Sequence, residues 1–338
     1  MIAEKIVTDT RWVAAFSLSA DKLVYQSGSA GNGPMVWFDR QGKELSRFVI
    51  GKVSTFRISP DGKKVAASIL DPSNAGIWIY ELARGTKERL TFDPSDADDP
   101  QWSNDGKTIV HDSTKSGHFN LYMRPADGSS EATLLFQSDA IKYPTSLSRD
   151  GKFLAFDNKD PRSGNKDDVY VLPLTAEHKP FPFRATQAEE NLGEFSPDGK
   201  WLAYASSESG RSEVYVAPFP EGNTHYQISQ NGGTFPRWRG DGKEIYYVSS
   251  NDLNITAVDV KPVGRAMDVG KATPLFRIKS SRPQYSYDVL PSGNRFLVNT
   301  VAGENSSPLT LVTNWTVELR KPYVFGWVPL FLGSSARF

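Results

Sequence analysis

The sequence lacks cysteine altogether, which excludes disulfides, thiolate metal sites and cysteine nucleophiles. It also lacks an excess of charge, because Lys plus Arg and Asp plus Glu number 39 each. A nucleic-acid-binding protein needs a basic surface to displace counterions, so this balance argues against that class. The longest apolar stretch, YVFGWVPLFLG at 323–333, is too short to span a bilayer. No apolar signal segment opens the chain, so we expect no membrane insertion by this segment.

The motifs of common hydrolases and kinases are missing too. There is no Gly-x-Ser-x-Gly, no His-Arg-Asp, no Asp-Phe-Gly, and no Gly-rich loop followed by Val-Ala-Ile-Lys. The four histidines form neither His-x-His nor His-Glu-x-x-His, which argues against a zinc site. These absences predict that the chain is not an enzyme on its own.

One sequence motif, in contrast, occurs seven times, and we call it the phrase. It reads FSPDGKWLAYASS at 195–207, and related stretches lie at 16–27, 56–68, 101–113, 146–157, 237–249 and 288–300. Asp-Gly suits a tight hairpin turn, since Gly accepts a positive φ without steric cost. The residues after the turn alternate at period 2, as in strands. The turn glycines from Gly62 to Gly293 lie 43 to 51 residues apart, whereas the copy at 16–27 has no glycine.

Further strands are predicted after each phrase. Third strands are expected at 35–39, 76–82, 119–124, 168–174, 213–219, 254–260 and 309–315. Fourth strands are expected at 46–50, 88–92, 132–136, 180–186, 225–229 and 273–278. Four strands per unit of 40–50 residues are typical of a β-propeller blade. The last unit has no fourth strand, and EKIVTD at 4–9 resembles ERLTFD at 88–93. We therefore predict an all-β fold over 1–320: a seven-bladed β-propeller of four-stranded antiparallel blades, with the N-terminal strand completing the last blade. No structure is assigned to the tail at 321–338.

The repeats resemble a known family. FSPDGKWLAYASSESGRSEVYVAPFP at 195–220 is similar to the TolB-like, WD-related propeller repeat. YPTSLSRDGKFLAFD, GGTFPRWRGDGKEIYYV and SSPLTLVTNWTVEL more narrowly resemble the C-terminal propeller of membrane-anchored bacterial serine/threonine kinases of acidobacterial type. That resemblance implies a kinase domain and a membrane helix before the propeller, which lies on the extracytoplasmic side.

The leading interpretation is a non-catalytic sensor or interaction module. It would bind a protein, peptide or saccharide on its top face, the face opposite the Asp-Gly turns, and we expect a monomer. The alternative is a propeller associated with a peptidase or hydrolase, which gates it or hosts a polar site in the central channel. The adjoining reading frame distinguishes the two.

The first candidate site is a polar level around the channel. The residue before each phrase's leading apolar residue occupies the same level on each inner strand; these are Ala15, Arg57, Gln101, Ser146, Glu194, Arg237 and Asp288. Two interpretations stay open: salt bridges between blades, or a small polar ligand in the channel mouth.

The second candidate site is the set of top loops, because binding residues usually sit on loops of a rigid scaffold. Asp98, Asp99, His118 and Arg211 are the residues singled out there. The run DPSDADDP at 93–100 makes Asp93, Asp96, Asp98 and Asp99 a weak candidate for Ca²⁺, against the plainer interpretation of a solvated loop. The loop DNKDPRSGNKDD at 157–168 is interpreted as an exposed hairpin tip. Such mixed charge suits a peptide, a saccharide or a protein loop.

Overall fold

The architecture is built almost entirely of antiparallel strands. The structure, a computed structural model, describes residues 16–18, 22–26, 32–71, 75–92, 97–164, 166–175, 178–280, 287–301 and 309–313. In this part of the chain, six four-stranded sheets follow one another as blades A to F. A separate compact unit contains a three-stranded sheet made of β1 (Phe16–Leu18), β2 (Lys22–Gln26) and β27 (Leu309–Thr313).

The first three blades run from 53 to 184. Blade A contains β5 (Val53–Ile58), β6 (Lys64–Ile69), β7 (Gly76–Glu81) and β8 (Thr86–Arg89). Blade B contains β9 (Ala97–Trp102), β10 (Thr108–Ser116), β11 (His118–Pro125) and β12 (Thr133–Phe136). Blade C contains β13 (Ile141–Leu147), β14 (Phe153–Lys159), β15 (Asp167–Pro173) and β16 (Phe181–Arg184), with a 3₁₀ turn at Pro161–Ser163.

The other three blades complete the ring. Blade D contains β17 (Glu190–Phe195), β18 (Trp201–Ser206), β19 (Glu213–Pro218) and β20 (Tyr226–Gln227). Blade E contains β21 (Gly233–Trp238), β22 (Glu244–Ser249), β23 (Asn254–Val263) and β24 (Ala266–Arg277). Blade F joins both ends of this unit: β25 (Tyr287–Val289), β26 (Arg295–Val301), β3 (Asn32–Asp39) and β4 (Glu44–Phe48).

The repeated phrase forms the hairpin between the first two strands of a blade, as predicted. In blade D, the Ser196 hydroxyl donates to Asp198 Oδ1 at 2.6 Å and accepts from the Trp201 amide at 3.0 Å. The same Asp198 oxygen accepts from the Lys200 amide at 3.1 Å. Gly199 takes a φ of 70°, in the left-handed region that favours glycine. Serine, aspartate and glycine each have a separate role in the turn, which explains why the phrase recurs.

The core of the ring lies between the blades. Six buried apolar clusters each combine residues of two neighbouring blades, so every one of the six interfaces has its own cluster. At the interface between blades F and A, the Ile58 amide donates to Asp288 Oδ2 at 2.8 Å and Asn299 Nδ2 donates to the Val53 carbonyl at 3.2 Å. These contacts close the ring around a central axis.

The prediction of seven blades is wrong. Strand β3, expected as the third strand of the first unit, instead pairs with β26, and Trp37 lies opposite Leu297. The first phrase belongs to none of the six blades, since β1 pairs with β2 and β2 pairs with β27 in the three-stranded sheet. Two strands from each end therefore build blade F, and burial of Met35, Trp37 and Leu297 in one apolar cluster stabilises this pairing.

The sequence predicts that the ring is closed by other residues, the N-terminal strand at 4–9. The strand expected at 4–9 and the tail at 321–338 lie outside the described residues, and so does the boundary predicted at residue 320. The single-domain assignment over 1–320 stays a prediction.

Candidate functional site

A ring of polar side chains lies across the central channel. Each blade contributes the residue that precedes the leading apolar residue of its phrase, and we call these six the belt: Arg57, Gln101, Ser146, Glu194, Arg237 and Asp288. The expected seventh member, Ala15, lies outside the described residues. Whether the belt binds a ligand stays a prediction.

The charged members of the belt form a closed set of ion pairs. An Arg57 terminal nitrogen lies 2.8 Å from Glu194 Oε2, and the other lies 3.8 Å from Asp288 Oδ1. Arg237 repeats the arrangement, 3.3 Å from Glu194 Oε2 and 3.5 Å from Asp288 Oδ1. Two cations and two anions give the belt no net charge. This is the salt-bridge interpretation of the polar level, and the pairs connect blades A, D, E and F.

Hydrogen bonds fix the belt to the backbone of the ring. Arg57 Nε donates to Gln101 Oε1 at 2.8 Å, and Gln101 Nε2 donates to the Pro144 carbonyl at 3.1 Å. Burial lowers the pKa of Arg57, but the charges of Glu194 and Asp288 outweigh burial and raise it. Burial and the charge of Arg57 lower the pKa of Arg237. Arg57 is thus the more firmly held of the two cations, in agreement with its shorter ion pair.

Just above the belt, the inner strands are bulged. The pairing register shifts immediately before the belt residue in blades B to E and one residue earlier in blade A. At three of these bulges a residue other than glycine adopts a left-handed φ: 49° at Asp99, 62° at Leu192 and 59° at Phe235. Bulges bend a strand and re-aim its side chains, and strained backbone of this kind concentrates at functional sites.

A cavity of about 500 Å³ lies above the belt, where these bulges occur. Arg57, Gln101 and Arg237 belong to its lining, together with the first residues of several inner strands and the loops between second and third strands. The cavity is therefore at the end of the channel opposite the Asp-Gly turns. A volume in this range is typical of ligand pockets in proteins.

Carboxylates line one side of the cavity. Asp99, Asp157, Asp167 and Glu189 come from blades B and C and from the loop that follows blade C. Burial raises the pKa of Asp99 well above its ordinary value, and the charge of Asp98 raises it further. Burial and the charge of Asp167 raise the pKa of Asp157 in the same way. Carboxylates that resist ionisation in a cleft are a recognised sign of a functional site.

The rest of the lining is apolar or carries hydroxyl groups. Leu192, Phe235, Val248, Leu253 and Tyr287 supply apolar surface. Thr55, Thr145, Ser207, Ser212, Thr234, Ser249 and Ser250 supply hydroxyl groups. The cavity therefore combines an acidic side with an apolar side.

The other predicted site residues have different positions. Asp98 accepts from the hydroxyls of Ser54 and Thr55 at 3.1 and 2.6 Å, next to the cavity but outside its lining. His118, at the start of β11, is exposed and does not line the cavity. Arg211 is bound to Glu213 Oε1 at 2.7 Å and also lies outside the lining.

Sequence reasoning missed the two ends of the loop 157–168. It was interpreted as an exposed hairpin tip, yet Asp157 is buried at the end of β14, and Asp167 is half-buried at the start of β15. Their position in the repeat could have identified them, because these two aspartates lie where a second strand ends and a third begins, at the top of the blade. Tyr143, which also lines the cavity, was missed as well; burial and the charge of Asp112 raise its pKa to about 12.

The candidate calcium site stays a prediction. Asp93 and Asp96 lie outside the described residues. Among the residues that the structure describes, no group of three or more His, Cys, Asp or Glu side chains is placed to hold a metal ion. Within the same residues, no helix is long and apolar enough to cross a membrane.

Comparison with protein-family models gives one match. Residues 14–166 match the model described as the TolB beta propeller domain. The chain has the TolB-like β-propeller fold. The Tol-Pal system protein TolB of Wolinella succinogenes is 21% identical over 177 residues, which cover 49% of this chain and 41% of that protein. An uncharacterized peptidase of Bacillus subtilis, YuxL, is 23% identical over 197 residues, which cover 47% of this chain and 30% of the peptidase. The chain thus spans less than half the length of these curated relatives.

Solved structures agree on the TolB-like fold. A putative TolB from Agrobacterium tumefaciens superposes with a TM-score of 0.61 at 16% identity, covering 79% of this chain and 97% of that one. An oligogalacturonate lyase in complex with manganese gives 0.56 at 13% identity, covering 89% and 96%. At these identities the likeness extends to the fold alone.

Proposed function

We propose that this TolB-like propeller is a non-catalytic binding module that holds a segment of a partner protein in the axial cavity. The observation that carries the proposal is the cavity itself: about 500 Å³, at the loop-rich end of the channel, with the buried ion pairs of the belt at its floor. A saccharide, the other ligand class expected from the sequence, is a competing occupant that the same experiment tests.

The belt explains why the cavity is a pocket and not a passage. One of its four ion pairs, between Arg57 and Glu194, joins the opposite blades A and D across the axis, and the other three join neighbouring blades. The side chains of Arg57 and Arg237 are only 11% and 9% exposed. Opening the channel would separate buried charges from their partners, which costs several kcal/mol. A ligand that enters from the top therefore stops at the belt and contacts the cavity wall.

The cellular setting is part of the proposal. The resemblance of the repeats to kinase-associated propellers and the match to a Tol-Pal system protein support an extracytoplasmic location and a sensor or docking role. The sequence that adjoins this segment tests the kinase association directly.

A propeller associated with a hydrolase is the second candidate. The match to the uncharacterized peptidase of Bacillus subtilis favours it, since that match covers 47% of this chain. The buried ion pairs of the belt argue against a role in which substrate passes along the channel. Peptide hydrolysis by the purified chain, lost in a single cavity variant, would favour this candidate over a binding module.

The binding function is tested by selecting ligands without assuming their identity. The purified chain is used to select binders from a random heptapeptide phage library and from an oligosaccharide array. Each binder is then measured against Ser250→Trp, which places an indole on an exposed residue of the cavity lining. The matched control is Lys63→Trp, on a turn at the opposite face where the lysine side chain is 77% exposed.

We expect peptide binders that lose at least tenfold in affinity with Ser250→Trp and less than twofold with Lys63→Trp. Binders that respond only to Lys63→Trp would place the site on the turn face and contradict the proposal. Selection of saccharides alone would replace the peptide with a sugar as the ligand.

A further inference from the structure

The arginines at the cavity floor are already neutralised. Arg57 and Arg237 both contact Glu194 and Asp288 within 3.8 Å, and these two acids lie in the belt below the cavity. Four charges that cancel in pairs present little net field to a ligand above them. A ligand in the cavity therefore does not encounter the mixture of positive and negative charge that the sequence predicts.

The carboxylates of the wall, in contrast, have few cations near them: burial raises the pKa of Asp99 and of Asp167, although the charge of Arg57 lowers the first and that of Lys159 lowers the second. In the described part of the chain, the ion pairs of Asp99, Asp157, Asp167 and Glu189 amount to one long contact, 4.0 Å between Lys159 Nζ and Asp167 Oδ1. Their charges act on one another: Asp167, Asp99 and Glu189 each raise the pKa of Asp157. Burial of like charges without counterions is costly. A cation in the cavity would reduce both the cost of burying the carboxylates and the repulsion between them.

A second observation points to a bound polar group. Thr145 lines the cavity and is 7% exposed, yet its hydroxyl oxygen has no hydrogen-bond partner in the described part of the chain. Buried hydroxyls are nearly always bonded to protein or to an ordered molecule. The Thr145 hydroxyl is therefore a buried polar group beside the cavity that the described residues leave without a partner.

The apolar part of the lining indicates which class of cation the cavity binds. Leu192, Phe235 and Leu253 line the same cavity as the carboxylates and supply an apolar side. Long basic side chains have this character, with an apolar stem that packs on hydrophobic surface and a charged head. A small hydrated metal ion would make no use of the apolar side.

We propose that the cavity selects a basic side chain of a protein or peptide partner. Its ammonium or guanidinium group binds Asp157 and Asp167, and its stem lies against Leu253. This inference rests on the binding function proposed above and specifies what the pocket recognises.

The test uses three capped nonapeptides of alanine and leucine that differ at the central residue, which is arginine, citrulline or glutamate. Citrulline keeps the shape of arginine and removes its charge. Affinities for the full chain are measured by ligand-observed NMR titration at low salt. The cavity variant is Asp157→Asn/Asp167→Asn, which keeps side-chain shape and removes repulsion. The control variant is Glu44→Gln/Glu88→Gln, which removes the same charge from exposed positions of two outer strands.

We expect the arginine peptide to bind the native chain at least tenfold more tightly than the citrulline peptide, with the glutamate peptide weakest. The preference should fall below twofold in the cavity variant and persist in the control. Equal affinities for arginine and citrulline, or no binding of any peptide, would overturn the inference. Ca²⁺ that binds the native chain and abolishes the arginine preference would assign the carboxylates to a metal.

The two proposals fail in different ways. Phage-selected peptides that need an open cavity but carry no basic residue would retain the binding function and refute selection of a cation. Selected peptides that are insensitive to Ser250→Trp would refute both.

Discussion

Removal of one belt arginine should destabilise the whole ring. Arg57→Ala removes the 2.8 Å ion pair with Glu194, the 2.8 Å bond to Gln101 and a bond to the Thr145 carbonyl. Glu194 is left with Arg237 alone, at 3.3 Å, and Asp288 loses one of its two arginines. Loss of one partner from a buried pair costs about 3–5 kcal/mol, because a buried charge remains uncompensated.

The assay is unfolding in urea followed by intrinsic fluorescence, with thermal unfolding as a second probe. For a domain of this size, a loss of that order lowers Tm by about 6–20 °C. The matched control is Arg47→Ala, which breaks a 2.6 Å pair with Glu44 on an outer strand, where the arginine side chain is 62% exposed. Solvent screens exposed pairs, so they contribute little to stability and the control should hardly change the midpoint.

A double variant separates uncompensated charge from lost packing. Arg57→Met/Glu194→Met removes one cation and one anion and leaves Arg237 paired with Asp288 at 3.5 Å. We expect it to be more stable than Arg57→Ala, since apolar replacement of a complete buried pair is often neutral. An Arg57→Ala variant as stable as Arg47→Ala would refute the view that the belt holds the blades together.

Two further predictions follow from the turns and from buried acids. Gly106→Ala should cost about 1–2 kcal/mol, the penalty of a left-handed residue, because nothing lies within 4 Å of the added Cβ. Gly293→Ala should cost clearly more by urea unfolding, since its Cβ would lie 2.3 Å from the Tyr246 hydroxyl; equal losses would contradict the steric argument. Burial and the charge of Asp99 raise the pKa of Asp112, so the folded chain holds this proton to higher pH than the unfolded chain does. The free energy of unfolding therefore falls as pH rises from about 4 through the raised pKa. Asp112→Asn should therefore stabilise by about 1–3 kcal/mol at pH 8 and by little at pH 4; a gain that is independent of pH would show that charge is not the cause.

Local chemistry made most of the ring predictable. Each Ser-x-Asp-Gly turn is fixed by contacts within six residues, such as those of Ser196 and Asp198, so the hairpins and their spacing follow from the sequence. The belt was predictable for the same reason: once the turns are aligned, the residue at a fixed offset lies at one height on every inner strand.

The blade count depended on pairing between distant segments, which no local pattern specifies. By its sequence, strand β3 could pair either with the phrase at 16–27 or with the phrase at 288–300. The structure selects the second, with Trp37 opposite Leu297. One signal favoured this outcome: the phrase at 16–27 lacks the turn glycine that Gly62 and the later copies share.

The cavity wall was only partly predictable. Asp99 was proposed from its place in a top loop, but Asp157 and Asp167 were hidden in a loop whose composition is that of an exposed tip. One contact that covers Asp157 comes from a bulge: the amide of Leu192, which has a left-handed φ, donates to Asp157 Oδ1 at 2.8 Å. Bulges depend on the pairing register, so the sequence pattern alone did not reveal them.

The way blade F is assembled has a consequence for synthesis on the ribosome. Strands β3 and β4 leave the exit tunnel early, but their partner β26 is made much later; the hydrogen bond from Thr300 to Pro34 joins residues 266 positions apart. At about 5–20 residues per second, the β3 edge waits about 13–50 s for its partner. During that time an unpaired strand edge is open to other nascent chains, which is the hazard that edge strands carry. Among the hairpins of the six blades, the one formed by β25 and β26 is translated last and ends this exposure, so a ribosome stalled before residue 295 would hold five blades with an open seam.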